Sequence, residues 1–102
     1  MEERYRLIIS TILNAIGIRV EVERMLATGR IDLVAWLSRY IYVIELKLSN
    51  NGGIAAAEQQ ITTCGYTEPF KGDTRKVVGL AVELDSEGKG LIDWKVVEEQ
   101  QL

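Results

Sequence analysis

Apolar and polar positions along the chain follow two different periods. Near the N-terminus and again in the middle, apolar residues recur every three or four positions, as they do in amphipathic helices. Elsewhere they alternate with polar residues or form short β-branched runs, which is typical of strands. The predicted order is αβββαββ, with helices at 2–16 and 54–66, strands at 18–25, 31–37, 40–48, 75–84 and 91–97, and a tail at 98–102.

The same pattern predicts which faces are buried. The first helix carries one apolar stripe, formed by Tyr5, Ile8, Ile9, Ile12, Leu13 and Ile16, and the last strand turns Ile92, Trp94 and Val96 inward. Strands 31–37 and 40–48 are apolar on both faces, which is typical of central strands covered on both sides. Mixed strands and helices of this kind predict an α/β sandwich with a mixed sheet, and 102 residues are expected to form a single domain.

Charged residues interrupt the two most apolar strands. Only residues 38–39 separate these strands, so a two-residue hairpin turn would place Asp32 directly opposite Glu45. Lys47 lies two residues beyond Glu45 and therefore on the same face. Two neighbouring carboxylates repel each other unless a cation lies between them, and such a break in an apolar pattern is expected at a functional site.

Composition narrows the chemistry that this site can perform. The chain has no histidine, which excludes a Ser-His-Asp or Cys-His triad and a histidine general base. The single cysteine, Cys64, argues against a zinc site and favours a reducing cytoplasm. Carboxylate oxygens favour Mg²⁺ or Mn²⁺ instead. The net charge of −3 argues against nucleic-acid binding through bulk positive charge, and no apolar run is as long as a membrane span.

The charged positions form an ordered series: Gly29-Arg30-Ile31-Asp32, then Glu45-Leu46-Lys47, then Gln60-Ile61. This series resembles the PD-(D/E)XK nuclease superfamily, and in particular the branch often found behind an AAA-ATPase-like region in bacterial proteins. The resemblance covers nearly the whole chain, up to a final strand with Asp93-Trp94-Lys95. It implies a restriction-endonuclease-like sandwich. It also implies nucleic acid, with DNA as the expected substrate, and two protein partners, a second copy in a homodimer and an ATPase-like domain.

The resemblance further implies a metal-dependent hydrolase of phosphodiester bonds. Asp32 and Glu45 would hold Mg²⁺ or Mn²⁺, with the backbone carbonyl of Leu46 as a third ligand, and the number of ions stays open. Lys47 would orient or deprotonate the attacking water or offset charge on the phosphate, and the carboxylates around it favour the electrostatic role. Gln60 would position the water or a phosphate oxygen, and its place beside the apolar stripe of the second helix lets it reach the sheet.

Several assignments stay open at this point. Glu23 either reaches the site or is a solvated strand acid, and Arg30 either contacts a phosphate or forms an ion pair with Glu23 or Glu45. Some members of the resembling superfamily place a first-helix glutamate near the metal, but Glu2 and Glu3 are expected to be solvated acids, which are favourable at a helix N-terminus. Two alternatives compete with the hydrolase: a catalytically silent module of the same fold that binds a partner domain or itself, and an ordinary ion-pair network. Activity of the chain by itself is a further open question.

Overall fold

The computed structural model describes residues 1–99 and confirms the predicted order of elements. Residues 98 and 99, predicted as tail, belong instead to the last strand because they pair with Gly79 and Val78. The rest of the predicted tail, 100–102, lies outside the described residues. The elements are α1 (Glu2–Ala15), β1 (Arg19–Leu26), β2 (Gly29–Trp36), β3 (Tyr40–Leu48), α2 (Gly53–Thr63), β4 (Lys76–Leu84) and β5 (Leu91–Glu99), with short 3-10 turns at Ser49–Asn51 and Glu68–Phe70.

The strands form one mixed sheet in the order β1-β2-β3-β4-β5. Strands β3 and β4 are parallel and are connected through α2, whereas the other neighbours are antiparallel. Helix α2 packs over β3, β4 and β5 on one face, and α1 packs over β1, β2 and β3 on the other. The result is an α/β protein with a five-stranded mixed sheet and two helices, consistent with a restriction-endonuclease-like fold.

The predicted register between β2 and β3 is confirmed. The N–H of Leu37 donates to the carbonyl of Tyr40 at 2.8 Å, so residues 38–39 form the tip of the hairpin. The ladder then runs from Trp36–Ile41 to Leu33–Ile44 without a shift. One further step along the strands brings Asp32 opposite Glu45, at the end of the sheet nearest the N-terminus of α1.

Each face of the sheet has its own core, and the alternation predicted for the two central strands is confirmed. Val34, Trp36, Ile41 and Val43 pack towards α2, around Ala57, Ile61 and Tyr66, while Leu33, Tyr42 and Ile44 pack towards α1. One residue departs from the repeat. Ile31 joins the α2-side core although it lies two positions from Leu33, so the alternation of β2 changes face at Asp32.

Two predicted buried faces are not covered, and these predictions were wrong for six residues. On α1, Ile8, Ile12 and Ile16 are 47%, 56% and 68% exposed, and on β5 Ile92, Trp94 and Val96 are 51%, 59% and 44% exposed. The reason is the position of α1, which buries Tyr5, Arg6 and Ser10 against the first three strands. On that face Tyr5 of α1 packs with Val82 and Leu84 of β4, but no element among residues 1–99 covers β5. Neither helix of this part of the chain is long and apolar enough to cross a membrane.

Candidate active site

A pocket of about 320 Å³ opens where the charged end of the sheet meets the start of α1 and one side of α2. The structure therefore brings together five of the residues singled out from the sequence, on three different elements. The residues that line the pocket are Glu2, Met25, Gly29, Arg30, Asp32, Glu45, Lys47 and Gln60.

The two carboxylates are almost completely buried, with Asp32 3% and Glu45 2% exposed. The backbone N–H of Leu46 donates to Oδ2 of Asp32 at 2.9 Å, which fixes the Asp32 carboxylate against β3. Oε1 of Glu45, by contrast, is buried and has no hydrogen-bond partner within residues 1–99. A buried carboxylate oxygen without a partner is costly, so this atom requires a proton or a cation.

Burial also changes the protonation of this pair. Loss of hydration, followed by the neighbouring charge of Asp32, raises the pKa of Glu45 to about 8, although the charge of Lys47 opposes the shift. Burial raises the pKa of Asp32 as well, but the hydrogen bond from Leu46 and the charge of Arg6 oppose that shift. At neutral pH and without a bound cation, Glu45 is therefore the member of the pair that carries the proton.

An arginine from α1 supplies a buried positive charge beside the pair. Arg6 is 7% exposed. Its Nη1 lies 3.7 Å from Oδ1 of Asp32, and its Nη2 lies 2.5 Å from Oε1 of Glu23. The guanidinium thus joins the first helix to the two strands at the point where the acids meet.

Glu23 does not line the pocket but holds two arginines next to it. Its Oε2 lies 3.3 Å from Nη1 of Arg30, so of the contacts left open for Arg30 the ion pair with Glu23 is the one found. The backbone of Glu23 has a φ of 53°, and the residue lies between the pairs Val22–Leu33 and Arg24–Ile31. A left-handed conformation at a non-glycine residue is strained, and strain of this kind is commonly found near functional sites.

Tyr66 fixes the other side of the pocket. Its buried hydroxyl accepts hydrogen bonds from Nε2 of Gln60 and from the N–H of Arg30, and it donates to the carbonyl of Arg30, each at 3.0 Å. The phenol lies so close to Gly29 that a Cβ there would be 2.5 Å from the hydroxyl oxygen. Glycine at the start of the Gly29–Asp32 series is therefore required by the close approach of Tyr66.

Three residues near the pocket were not predicted from the sequence: Glu2, Arg6 and Tyr66. Glu2 was expected to be solvated, yet it lines the pocket, and both its burial and the charge of Asp32 raise its pKa. Glu2 and Arg6 are four residues apart, on the arc of α1 that contains Tyr5 and Ile9, and this spacing is the signal that could have identified them. Tyr66 follows the end of α2, and no local pattern marks it.

The donors fit a hard divalent cation. Mg²⁺ usually takes one or two carboxylates together with water, and the pocket offers two carboxylates at the end of the central strands. The unpartnered Oε1 of Glu45 supports this fit. Within residues 1–99 there is no group of three or more His, Cys, Asp or Glu side chains arranged to hold an ion, so any such site would depend on backbone or solvent oxygens as well.

A mixed sheet between two helices, with acids at the end of its central strands, defines the class of restriction-endonuclease-like proteins. The family model of the PD-(D/E)XK nuclease superfamily matches residues 1–94. The chain therefore belongs to the PD-(D/E)XK nuclease superfamily, whose members are generally nucleases and typically use divalent metals. No curated protein matches it significantly.

Proposed function

We propose that this chain hydrolyses phosphodiester bonds of nucleic acid, with DNA as the first substrate to test and Mg²⁺ or Mn²⁺ as the cofactor. The observation that carries the proposal is the buried, unpartnered Oε1 of Glu45 beside Asp32. Two buried acids are expensive for a domain that has no cation to place between them. A structural ion-pair network would instead provide a partner for each carboxylate oxygen.

Asp32, Glu45 and the carbonyl of Leu46 are the groups that would hold the ion. When bound, a divalent cation supplies a nucleophilic water near neutral pH and neutralises negative charge on the scissile phosphate. Arg6 adds a fixed positive charge next to Oδ1 of Asp32, which opposes the rise in the pKa of that carboxyl and orients it by the ion pair. The Asp32 carboxylate is therefore ready to bind before Glu45 loses its proton.

Lys47 and Arg30 are the cations that face the pocket, and they would stabilise the phosphate. Lys47 follows Glu45 on the same strand face, so its ammonium lies beside the charge that develops on the phosphate in the transition state. Arg30 remains 51% exposed while it is paired with Glu23, so its guanidinium is accessible to a second anion. These two residues supply local positive charge in a chain whose net charge is −3.

Gln60 is suited to position the attacking water or a phosphate oxygen. Its Nε2 donates one of its two N–H groups to Tyr66, which holds the amide at the edge of the pocket. The amide oxygen can accept a hydrogen bond from water, and the second N–H can donate to a phosphate oxygen. Both roles predicted for Gln60 are therefore compatible with this hydrogen bond.

A second candidate function is a silent interaction module of the same fold. The observation that favours it is the uncovered apolar surface on the α1 side of β4 and β5, which has the character of a binding surface. This surface lies apart from the pocket, so binding there is compatible with hydrolysis. The module alone, however, gives no reason for the buried pair of acids.

The proposal is tested by nicking of supercoiled DNA in the presence of Mg²⁺ or Mn²⁺. The wild-type chain is expected to nick the DNA, and Asp32→Ala or Lys47→Ala is expected to lower the rate at least about 100-fold. Asp93→Ala and Lys89→Ala are matched controls, because they remove the same side chains from exposed positions on β5 and in the loop before it. Both controls are expected to keep wild-type activity.

Two results would contradict the proposal. Cleavage that is equally strong in the Asp32 and Lys47 variants would come from a contaminating nuclease. Absence of cleavage by the wild type, together with absence of Mg²⁺ and Mn²⁺ binding at millimolar concentration, would leave the silent module as the function.

A further inference from the structure

An apolar groove of about 530 Å³ runs along the α1 side of the sheet, between α1 and β5. Its floor is formed by Leu80, Val82 and Leu84 of β4, and its two walls include Ile8 on one side and Leu91 and Trp94 on the other. Among residues 1–99, no charged side chain lines it. The hydroxyl of Tyr5 already donates to the carbonyl of Asp85 at 2.8 Å and accepts from the N–H of Gly90 at 3.0 Å.

A ridge of isoleucines stands next to this groove on the same face. Ile8, Ile12 and Ile16 follow each other at one-turn spacing along α1, and they are about half exposed or more. Their spacing is that of a buried helix stripe, yet α1 uses the neighbouring arc around Tyr5 and Ile9 to contact its own sheet. The ridge therefore has the sequence pattern of a contact surface and no contact within residues 1–99.

The two faces of the sheet differ in how far they are covered. On one face α2 packs on β3, β4 and β5, whereas on the other face α1 packs mainly on β1, β2 and β3 and reaches β4 through Tyr5. The gap left over β5 is the space that one more helix would occupy in a complete three-layer sandwich. The described part of the chain has no third helix to place there.

We propose that a second copy of this chain covers the face, with the α1 helix of each copy lying in the groove of the other. Ridge and groove are adjacent on one surface, so a single twofold axis would bury both pairs at once. A twofold interface uses the same patch on both subunits, and this patch contains both complementary parts. The inference does not depend on the proposed hydrolysis and can fail or succeed separately from it.

The size of the patch fits a stable dimer. A standard interface covers about 800 Å² on each partner, which is roughly one-seventh of the 5867 Å² surface of this chain. The exposed apolar residues of the ridge and of β5 supply a surface of that order together with the groove. They are Ile8, Ile12, Ile16, Leu91, Ile92, Trp94 and Val96.

Charge does not oppose this contact locally. Each copy has a net charge of −3, but the groove itself is free of charged side chains, so the repulsion acts between distant groups. Salt screens charges at such distances, and the hydrophobic contact does not weaken with screening. The dimer is therefore expected to become slightly more stable as the salt concentration rises.

Sedimentation equilibrium of the 102-residue chain, with one pair of matched variants, tests the proposal. The wild type is expected to sediment at twice its mass of 11.5 kDa, with a dissociation constant of about 1 µM or below. Ile12→Glu is expected to raise that constant at least about 100-fold, because it buries an unpaired charge in the contact. Leu7→Glu is the control: Leu7 is 66% exposed on the same helix but lies roughly 140° away from Ile12, outside the ridge and the groove.

Trp94 gives a second readout that identifies the surface. It is 59% exposed in the single chain, so dimerisation through the groove is expected to shift its fluorescence to shorter wavelength and to protect it from acrylamide. The other tryptophan, Trp36, packs on the opposite side of the sheet against Phe70 and serves as the constant background. Circular dichroism of Ile12→Glu and Leu7→Glu checks that both variants fold.

Three results would overturn the inference. A wild-type chain that stays monomeric at about 100 µM would leave the groove to a different protein or to solvent. A dimer that Ile12→Glu and Leu7→Glu weaken equally, or that neither weakens, would use another surface, such as the edge of β5. A dimer in which Trp94 remains as accessible to acrylamide as in the monomer would likewise show that the contact uses another surface.

Discussion

Two regions of this molecule break the rule of polar surface and apolar interior, and they break it in opposite directions. At the end of the central strands, Asp32 and Glu45 are polar and buried. On the α1 side of β5, Leu91, Trp94 and Val96 are apolar and exposed. Each region is incomplete in the single chain: the first needs positive charge, and the second needs another apolar surface.

The two regions differ in what they cost the fold. A buried carboxylate loses its hydration on folding, so an uncompensated one destabilises the native state by several kcal/mol. An exposed apolar side chain is hydrated in both the folded and the unfolded state, so it only forgoes about 1.5–3 kcal/mol of possible burial. The buried acids therefore destabilise the native state, and Arg6 offsets part of this effect. The exposed apolar face, by contrast, destabilises the single chain little.

The largest expected effect comes from removing Arg6, which stabilises the buried acids. Arg6→Ala leaves Asp32 and Glu23 without their shared cation and is expected to lower the free energy of unfolding by about 3–5 kcal/mol, measured by urea denaturation. Arg4→Ala, at an exposed position on the same helix, is the control and is expected to change it by less than about 0.5 kcal/mol. Equal effects of the two substitutions would show that Arg6 does not stabilise the buried acids.

The smallest expected effect belongs to the apolar face. Ile92→Thr is expected to change the free energy of unfolding of the monomer by less than about 0.5 kcal/mol, because Ile92 is already half exposed. Val82→Thr, on the neighbouring strand β4 and only 8% exposed, is expected to cost about 1–3 kcal/mol through its buried hydroxyl. Urea denaturation at low protein concentration measures both. An Ile92 variant as unstable as the Val82 variant would mean that the monomer itself covers this face.

The features of the site that could be predicted from sequence are those that a short stretch of the chain determines. The neighbouring positions of Asp32 and Glu45 follow from one two-residue turn, which sets the register between β2 and β3, so a short stretch of sequence determines them. The approach of Gln60 follows from the phase of a single helix. These contacts need no knowledge of how distant parts of the chain pack.

The remaining features of the site arise from tertiary contacts. Arg6 reaches Glu23 and Asp32 only because α1 crosses the sheet at a particular angle, and Tyr66 meets Gly29 from a loop 37 residues further along the chain. The left-handed backbone of Glu23 likewise has no mark in the sequence, where the residue reads as an ordinary member of an alternating strand. Only the packed structure makes these residues neighbours of the pocket.

The uncovered face shows what a pattern of apolar residues in the sequence cannot predict. The spacing of Ile8, Ile12 and Ile16, and the alternation of Ile92, Trp94 and Val96, indicate that these side chains suit burial. They do not indicate which surface buries them. The pattern is equally consistent with a core inside one chain and with an interface between two, and the structure shows that the single chain leaves this face open.

The most direct test of the central claim is calorimetric titration of the protein with Mn²⁺ between pH 6 and pH 8. Because burial raises the pKa of Glu45 to about 8, the ion must displace a proton, and its affinity is expected to fall up to tenfold for each unit of acidification. Proton release into the buffer should accompany binding, and Glu45→Gln should abolish both the release and most of the affinity. Mn²⁺ binding that is independent of pH and unchanged in Glu45→Gln, or no binding at millimolar concentration, would contradict the account.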